Sequence, residues 1–286
     1  ALVTPFTDQG GIDLEAYDRL LDFQLEQGSD GLVVAGTTGE SAALLQDEFA
    51  ALLERAVERV DGRVPVIAGT GGAATGRTLE QTLLAADLGA DAALVVTPYY
   101  VKPPQRGLVA HFSTVADASP IPLVLYNVPG RTAVDMQPET VAILSEHPNI
   151  AGIKEAVGDA ARVEQLVELC PQDFCLLSGD DPTCLASMKL GTDGVISVAS
   201  NAAAAQMHAM CAAALSGDWA EADRLFDRLA SFFAALALET NPIPVKWAVY
   251  AMGLAGSAIR LPLAELDEQH HGALNSALQE LGLIPG

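Results

Sequence analysis

Basic residues are scarce in this chain of 286 residues: 15 Lys and Arg stand against 37 Asp and Glu, a formal net charge of −22. That balance argues against nucleic acid and anionic membrane as partners, since both demand a positive surface. It also sets a tension for any acidic substrate, which the overall field repels and which only a local cation or oriented backbone amides can hold. Cysteine is sparse too. Cys170, Cys175, Cys184 and Cys211 show no CxxC pairing, and the five histidines supply neither HxxxH nor HExxH. Neither a disulfide framework nor a zinc site is indicated, and the thiols read as reduced and buried. No apolar stretch is long enough to span a bilayer, and Ala1-Leu2-Val3-Thr4-Pro5-Phe6 lacks the basic flank of a signal peptide, so the expected location is the cytoplasm.

What is present is a 50% hydrophobic composition, enough for a large core. Short runs rich in Val, Leu and Ile alternate with helical patterns up to about residue 215. The short runs are Leu2-Val3, Gly31 to Val34, Val64 to Ala68, Ala92 to Val96, Pro122 to Tyr126, Ile150 to Lys154, Phe174 to Ser178 and Gly194 to Val198. Helical spacing marks Asp13 to Gln27, Gln46 to Val60, Thr78 to Leu88, Gly107 to Ala118, Pro138 to Ser145, Asp159 to Leu169, Pro182 to Leu190 and Ala202 to Leu215. Eight such units predict an α/β fold, a (β/α)8 TIM barrel over residues 1–217, with a doubly wound open sheet as the competing layout. Leu-Gly-Ala-Asp (88–91) and Leu-Gly-Thr-Asp (190–193) read as helix C-caps feeding the next strand. Residues 218–286 turn helical throughout, over Trp219 to Leu238, Pro244 to Met252 and Leu266 to Leu281, and form a C-terminal appendage.

Only four lysines occur, at 102, 154, 189 and 246, and Lys154 alone terminates a predicted core strand. Burial disfavours the ammonium form, which is how a lysine becomes a nucleophile toward a ketone. The plainer reading is a lysine that reaches out to water or pairs with Glu155. In a parallel barrel, reactive groups sit at the C-terminal ends of strands. Those positions hold Gly36-Thr37-Thr38-Gly39-Glu40, Thr97-Pro98-Tyr99-Tyr100, Tyr126-Asn127-Val128-Pro129-Gly130-Arg131-Thr132, Lys154, Ser178-Gly179-Asp180-Asp181 and Ile196. Each has a structural alternative: a packed aromatic for Tyr126, a plain turn for the 36–40 loop, a surface arginine in a Pro-Gly turn for Arg131. Gly69-Thr70-Gly71-Gly72-Ala73-Ala74 fits a dinucleotide fingerprint but equally a loop at a barrel mouth, and eight strands leave no second half-fold for a nucleotide.

This ordered series resembles the 4-hydroxy-tetrahydrodipicolinate synthase family of pyruvate-dependent Schiff-base aldolases, over essentially the whole chain, from Thr4-Pro5-Phe6 through Asn241-Pro242-Ile243-Pro244-Val245-Lys246-Trp247 to the closing helix. The resemblance implies that Lys154 forms an imine with pyruvate, and that Tyr126 shuttles protons with Thr37 and with Tyr100 from a neighbouring subunit. It further implies that Thr38 holds the pyruvate carboxylate, that Ile196 lines that site by its backbone with Gly179 leaving room beside it, and that Arg131 holds the carboxylate of L-aspartate 4-semialdehyde. No metal or organic cofactor is implied, since the lysine imine is the electron sink; a homotetramer is the usual family state.

Two alternatives stay open on sequence. One is a sister aldolase of the N-acetylneuraminate lyase or 2-keto-3-deoxy acid type; the other is a non-catalytic barrel that binds small carboxylates. One departure stands out: where lysine-inhibited relatives line an effector cleft with histidines, an asparagine and an acidic residue, this chain offers Gln46, Phe49, Ala73 and Arg77. A cationic effector facing Arg77 loses its counter-charge, so weak or absent inhibition by lysine is expected.

Overall fold

Asp13 ends the first loop by accepting a hydrogen bond from the Ala16 amide (2.9 Å), and helix α1 (Leu14–Glu26) starts there; such a cap contributes about 1 kcal/mol. The computed structural model describes all residues from 1 to 286, with elements numbered along the chain. They divide into two units, residues 1–64 with 197–286, and residues 65–196.

In the first unit, α1 buries Tyr17, Leu20 and Leu21 and stops at Gly28, whose φ of +85° suits glycine. Strand β1 (Leu32–Val34) is wholly buried. The Leu2 amide donates to the Val33 carbonyl at 2.9 Å, so the expected first strand lies against β1 without becoming a regular strand itself. Pro5 has no N–H to extend that ladder. Helix α2 (Gln46–Val60) buries Phe49, Leu52, Leu53, Ala56 and Val60, the stripe its spacing predicts.

The second unit takes its form from strands rich in β-branched and leucine residues. Here lie β2 (Val66–Gly69), α3 (Thr75–Asp87), β3 (Ala92–Val96), α4 (Gln105–Ala118), β4 (Leu123–Asn127), α5 (Pro129–Thr132) and α6 (Pro138–Ser145). They are followed by β5 (Ile150–Glu155), α7 (Ala160–Leu169), β6 (Cys175–Ser178), α8 (Cys184–Leu190) and β7 (Gly194–Val195). Strands β2 to β7 pair in sequence order and all in parallel. Phe112, Leu123, Leu125, Met136, Val141, Ile153 and Leu166 fill the core between strands and helices.

The two Leu-Gly-x-Asp repeats do more than cap. Gly89 and Gly191 have positive φ, while Asp91 and Asp193 accept from the Val66 and Leu176 amides, both at 2.8 Å. Each aspartate thereby satisfies an amide at the start of the preceding strand, the first of β2 and the second of β6. A register shift between β4 and β5 has a larger consequence. Leu123 pairs with Ile150 but Val124 with Gly152, so Tyr126 comes opposite Lys154 and Asn127 opposite Glu155. Gly152 is required there: a Cβ would stand 2.4 Å from the Cys175 carbonyl oxygen.

The chain returns to the first unit with α9 (Ser200–Leu215), α10 (Trp219–Leu236), α11 (Ile243–Ala251) and α12 (Glu268–Glu280), the last three matching the expected appendage. Asp218 and Asp267 cap α10 and α12, and α10 packs on α9 and α12. No helix is long and apolar enough to cross a membrane.

Candidate active site

Lys154 is the penultimate residue of β5 rather than its end, and it is only 4% exposed. Its Nζ lies 4.5 Å from the centroid of the Tyr126 ring, and it makes no ion pair. Pairing with Glu155 is ruled out by strand alternation, which sends the two side chains to opposite faces. The Glu155 carboxylate is occupied elsewhere, accepting from Arg162 Nε (2.7 Å), Asn127 Nδ2 (3.1 Å) and the Val157 amide (2.8 Å). Burial pushes the Glu155 carboxyl above the usual range, against the pull of Arg162 and Asn127. An amine buried against an aromatic face with no carboxylate beside it is suited to nucleophilic attack.

Gly179 adjoins this amine. Its amide donates to the Glu155 carbonyl at 2.6 Å. A Cβ there would approach the Ala156 Cβ to 2.9 Å and the Lys154 Cε to 3.0 Å, so the glycine clears the lysine's path. Ile196 follows the end of β7, buried, with its amide donating to the Ser178 carbonyl at 2.9 Å. Tyr126, Lys154, Gly179 and Ile196 thus sit at the C-terminal ends of β4 to β7.

Arg131 is exposed on α5, a single turn where the sequence suggested only a loop. Thr132 anchors that turn, accepting from Thr97 Oγ1 (3.2 Å) and donating to the Val134 carbonyl (3.0 Å). Tyr100 stands apart. It is 89% exposed and holds a left-handed φ of +72° in the loop after β3.

Thr37 and Thr38 belong to the first unit, in the loop after β1. Thr38 is buried, and its Oγ1 accepts from Asn241 Nδ2 at 3.0 Å. Gly39 allows a close backbone approach, since a Cβ there would meet the Leu2 carbonyl oxygen at 3.1 Å. Gly36 has only ordinary contacts. The left-handed residues are instead Ala35 and Glu40, which bracket the loop. Glu40 is buried and binds Lys246 Nζ at 2.5 Å, while its other oxygen accepts from the Arg260 amide at 3.1 Å. Desolvation lowers the Lys246 pKa, an effect the charge of Glu40 opposes.

Sequence reasoning missed Glu40 with Lys246, and Asn127 with Glu155, Arg162 and Asp135. The only sequence signal for either was position: Glu40 closes the Thr-Thr loop, while Asn127 and Glu155 each follow a reactive residue. Nowhere do three His, Cys, Asp or Glu side chains gather as metal ligands, and none of the four cysteines is in a disulfide.

A buried strand lysine beside a tyrosine, with a glycine cleared for it, defines an aldolase-type lyase of the Schiff-base class. The chain belongs to the dihydrodipicolinate synthetase family, whose model matches residues 1–281. It is 50% identical over 284 residues to the 4-hydroxy-tetrahydrodipicolinate synthase of Ectopseudomonas mendocina, across 99% of this chain and 97% of that one. The namesake from Halorhodospira halophila is 47% identical over 288 residues, across 99% and 96%. Among solved structures, the chloride-inhibited dihydrodipicolinate synthase of Acinetobacter baumannii complexed with pyruvate has a TM-score of 0.98 at 44% identity, across 99% and 98% of the chains. The Cyanidioschyzon merolae structure with lysine bound gives 0.96 at 40%, across 99% and 97%. The fold class is accordingly the (β/α)8 TIM barrel with a C-terminal helical appendage.

Proposed function

We propose that this chain is a 4-hydroxy-tetrahydrodipicolinate synthase, condensing pyruvate with L-aspartate 4-semialdehyde in the diaminopimelate and lysine pathway. The observation that carries the reading is the Lys154 amine, buried without a counter-ion over the Tyr126 ring. Relatives of that name match along nearly the whole chain, which supports the same reading.

In this reaction the Lys154 amine attacks C2 of pyruvate, and the resulting carbinolamine loses water to give a protonated imine. The imine nitrogen accepts the electron pair released when a C3 proton leaves, forming an enamine. C3 then bonds to the aldehyde carbon of the semialdehyde, whose oxygen takes up a proton. Finally the semialdehyde's amino group attacks C2 and expels the Lys154 amine, closing the ring and restoring the enzyme. A phenol is a poor base alone, so Tyr126 relays these protons with Thr37 and with Tyr100 supplied by a second subunit. Thr38 and its neighbouring amides hold the pyruvate carboxylate, Ile196 lines that site beside Gly179, and the Arg131 guanidinium clamps the semialdehyde carboxylate.

The lysine supplies the electron sink, so the cycle requires neither metal nor organic cofactor. The exposure of Tyr100 supports assembly as at least a dimer, with a homotetramer as the working state and the cytoplasm as its location. Borohydride reduction in the presence of pyruvate, followed by intact mass and peptide mapping, tests this directly: a stable adduct on Lys154 is expected. An unmodified lysine would remove the reaction's first step, and an adduct without condensation of the semialdehyde would favour a sister aldolase.

A further inference from the structure

Behind Tyr126 and Lys154, on the opposite face of β4 and β5, lies a buried polar cluster that the reaction above does not use. Asn127 is fully buried and every hydrogen-bonding atom of its side chain is engaged. Its Nδ2 donates to both Glu155 oxygens (3.1 Å) and to Asp135 Oδ1 (3.0 Å), and its Oδ1 accepts from the Met136 amide (3.0 Å). Arg162, arriving from α7, donates from Nε to Glu155 (2.7 Å), from Nη1 to Asp135 Oδ2 (3.1 Å) and from Nη2 to the Met136 carbonyl.

The members of this cluster are neighbours in sequence of three residues in the proposed mechanism. Asn127 follows Tyr126, Glu155 follows Lys154, and Asp135 with Met136 lies on the segment leaving α5, which carries Arg131. That segment is otherwise held by Gln105 Nε2, which donates to the Asp135 carbonyl at 2.7 Å, and by Thr132. Desolvating an arginine and a glutamate is costly, and their mutual attraction roughly offsets that cost. The cluster is therefore a poor source of net stability but a directional tie between strand ends and loop.

We infer that Arg162 and Asp135 are positioning residues that fix the Arg131 segment relative to Lys154, and so determine how tightly the carboxylate-bearing aldehyde is held. This rests on the function proposed above. Asp135→Asn removes the charge that the guanidinium grips on the loop side. Arg162→Lys keeps a cation for Glu155, but a single ammonium cannot also span to Asp135 and the Met136 carbonyl.

The test is steady-state kinetics of both variants with each substrate varied in turn, beside pyruvate trapping of the wild type. Each variant is expected to raise the KM for aspartate semialdehyde about tenfold, the worth of one charge-assisted hydrogen bond in placing a ligand. The KM for pyruvate should move by less than about twofold. Unchanged KM values, or KM values for both substrates that rise together as thermal stability falls, would overturn the proposal, because a purely structural role has no reason to single out one substrate. If Arg162→Lys fails to fold, the partly exposed Asp135 decides the matter alone. Failure of the wild type to trap pyruvate would instead defeat the functional reading, so the two outcomes are separable.

Discussion

Lys154 Nζ rests over the face of the Tyr126 ring, 4.5 Å from its centroid, and the two residues are direct partners in the parallel ladder between β4 and β5. A ring face attracts the ammonium by its quadrupole, by about 1 kcal/mol or more once water is excluded. This holds the amine in place without the strong proton trap of a carboxylate.

Removing the phenol oxygen separates these contributions. Tyr126→Phe keeps the ring under Lys154 but loses proton transfer, so kcat should fall by about 10²–10⁴-fold, the usual scale of general acid–base catalysis. Trapping of pyruvate by borohydride should still reach Lys154, more slowly. A variant with wild-type kcat would remove Tyr126 from the relay.

Gly179→Ala places a methyl within 3.0 Å of Lys154 Cε and 2.9 Å of Ala156 Cβ. The lysine must swing aside, so adduct formation with pyruvate should slow at least about tenfold, the effect expected when a reacting group is displaced by roughly 1 Å. Stopped reductive trapping gives the rate, and wild-type speed would show that the clearance is unnecessary.

His111 predicts a pH response. Burial lowers its pKa from 6.5 to about 4, and its Nδ1 lies 2.9 Å from Thr75 Oγ1 while Nε2 has no partner. The unfolded chain therefore takes up a proton near pH 6.5 that the folded protein refuses until about pH 4. Stability is lost as pH falls through that window, by up to about 3 kcal/mol from this group. Denaturant melts at pH 7 and pH 4.5 should show a smaller loss for His111→Phe than for the wild type; equal losses would exclude His111 as the cause.

The Glu40–Lys246 pair carries a stability prediction. Lys246→Met leaves Glu40 buried with its main counter-charge gone, and breaking a buried pair costs about 3–5 kcal/mol. Glu40→Gln combined with Lys246→Met should recover most of that loss. A double variant no more stable than the single one would show that the residues do not act as a pair.

Lysine should inhibit weakly or not at all, because the resemblance to lysine-inhibited relatives puts Arg77 where a counter-charge for a cationic effector would be needed. Initial rates with and without millimolar lysine decide this, and substantial inhibition would refute it.

Much of this architecture was legible in the chain. Gln46 to Val60 and Pro138 to Ser145 run as read, and seven of the eight apolar runs became strands. The differences have local causes. Helix α3 begins at Thr75, three residues early, because Gly76 masks a helical first turn, and α4 begins at Gln105 directly behind Pro103 and Pro104. β2 starts only at Val66, after Pro65. For the site, Lys154 could be found because a cation closing an apolar run is unusual. The Asn127, Glu155, Arg162 and Asp135 cluster could not, since its members lie on three elements and the loop after α5 and meet only through a register shift that no periodicity announces. Glu40 was hidden in the same way, its partner Lys246 lying over two hundred residues further along.

That offset between β4 and β5 also bears on how preparations of this enzyme are judged. Slipping the two strands by one residue would set Ile153, not Lys154, beside Tyr126, while leaving nearly the same helix and sheet content. Circular dichroism would score such material as native. On the mechanism proposed above, counting lysines that react with pyruvate would not, and refolded batches are best measured by that number.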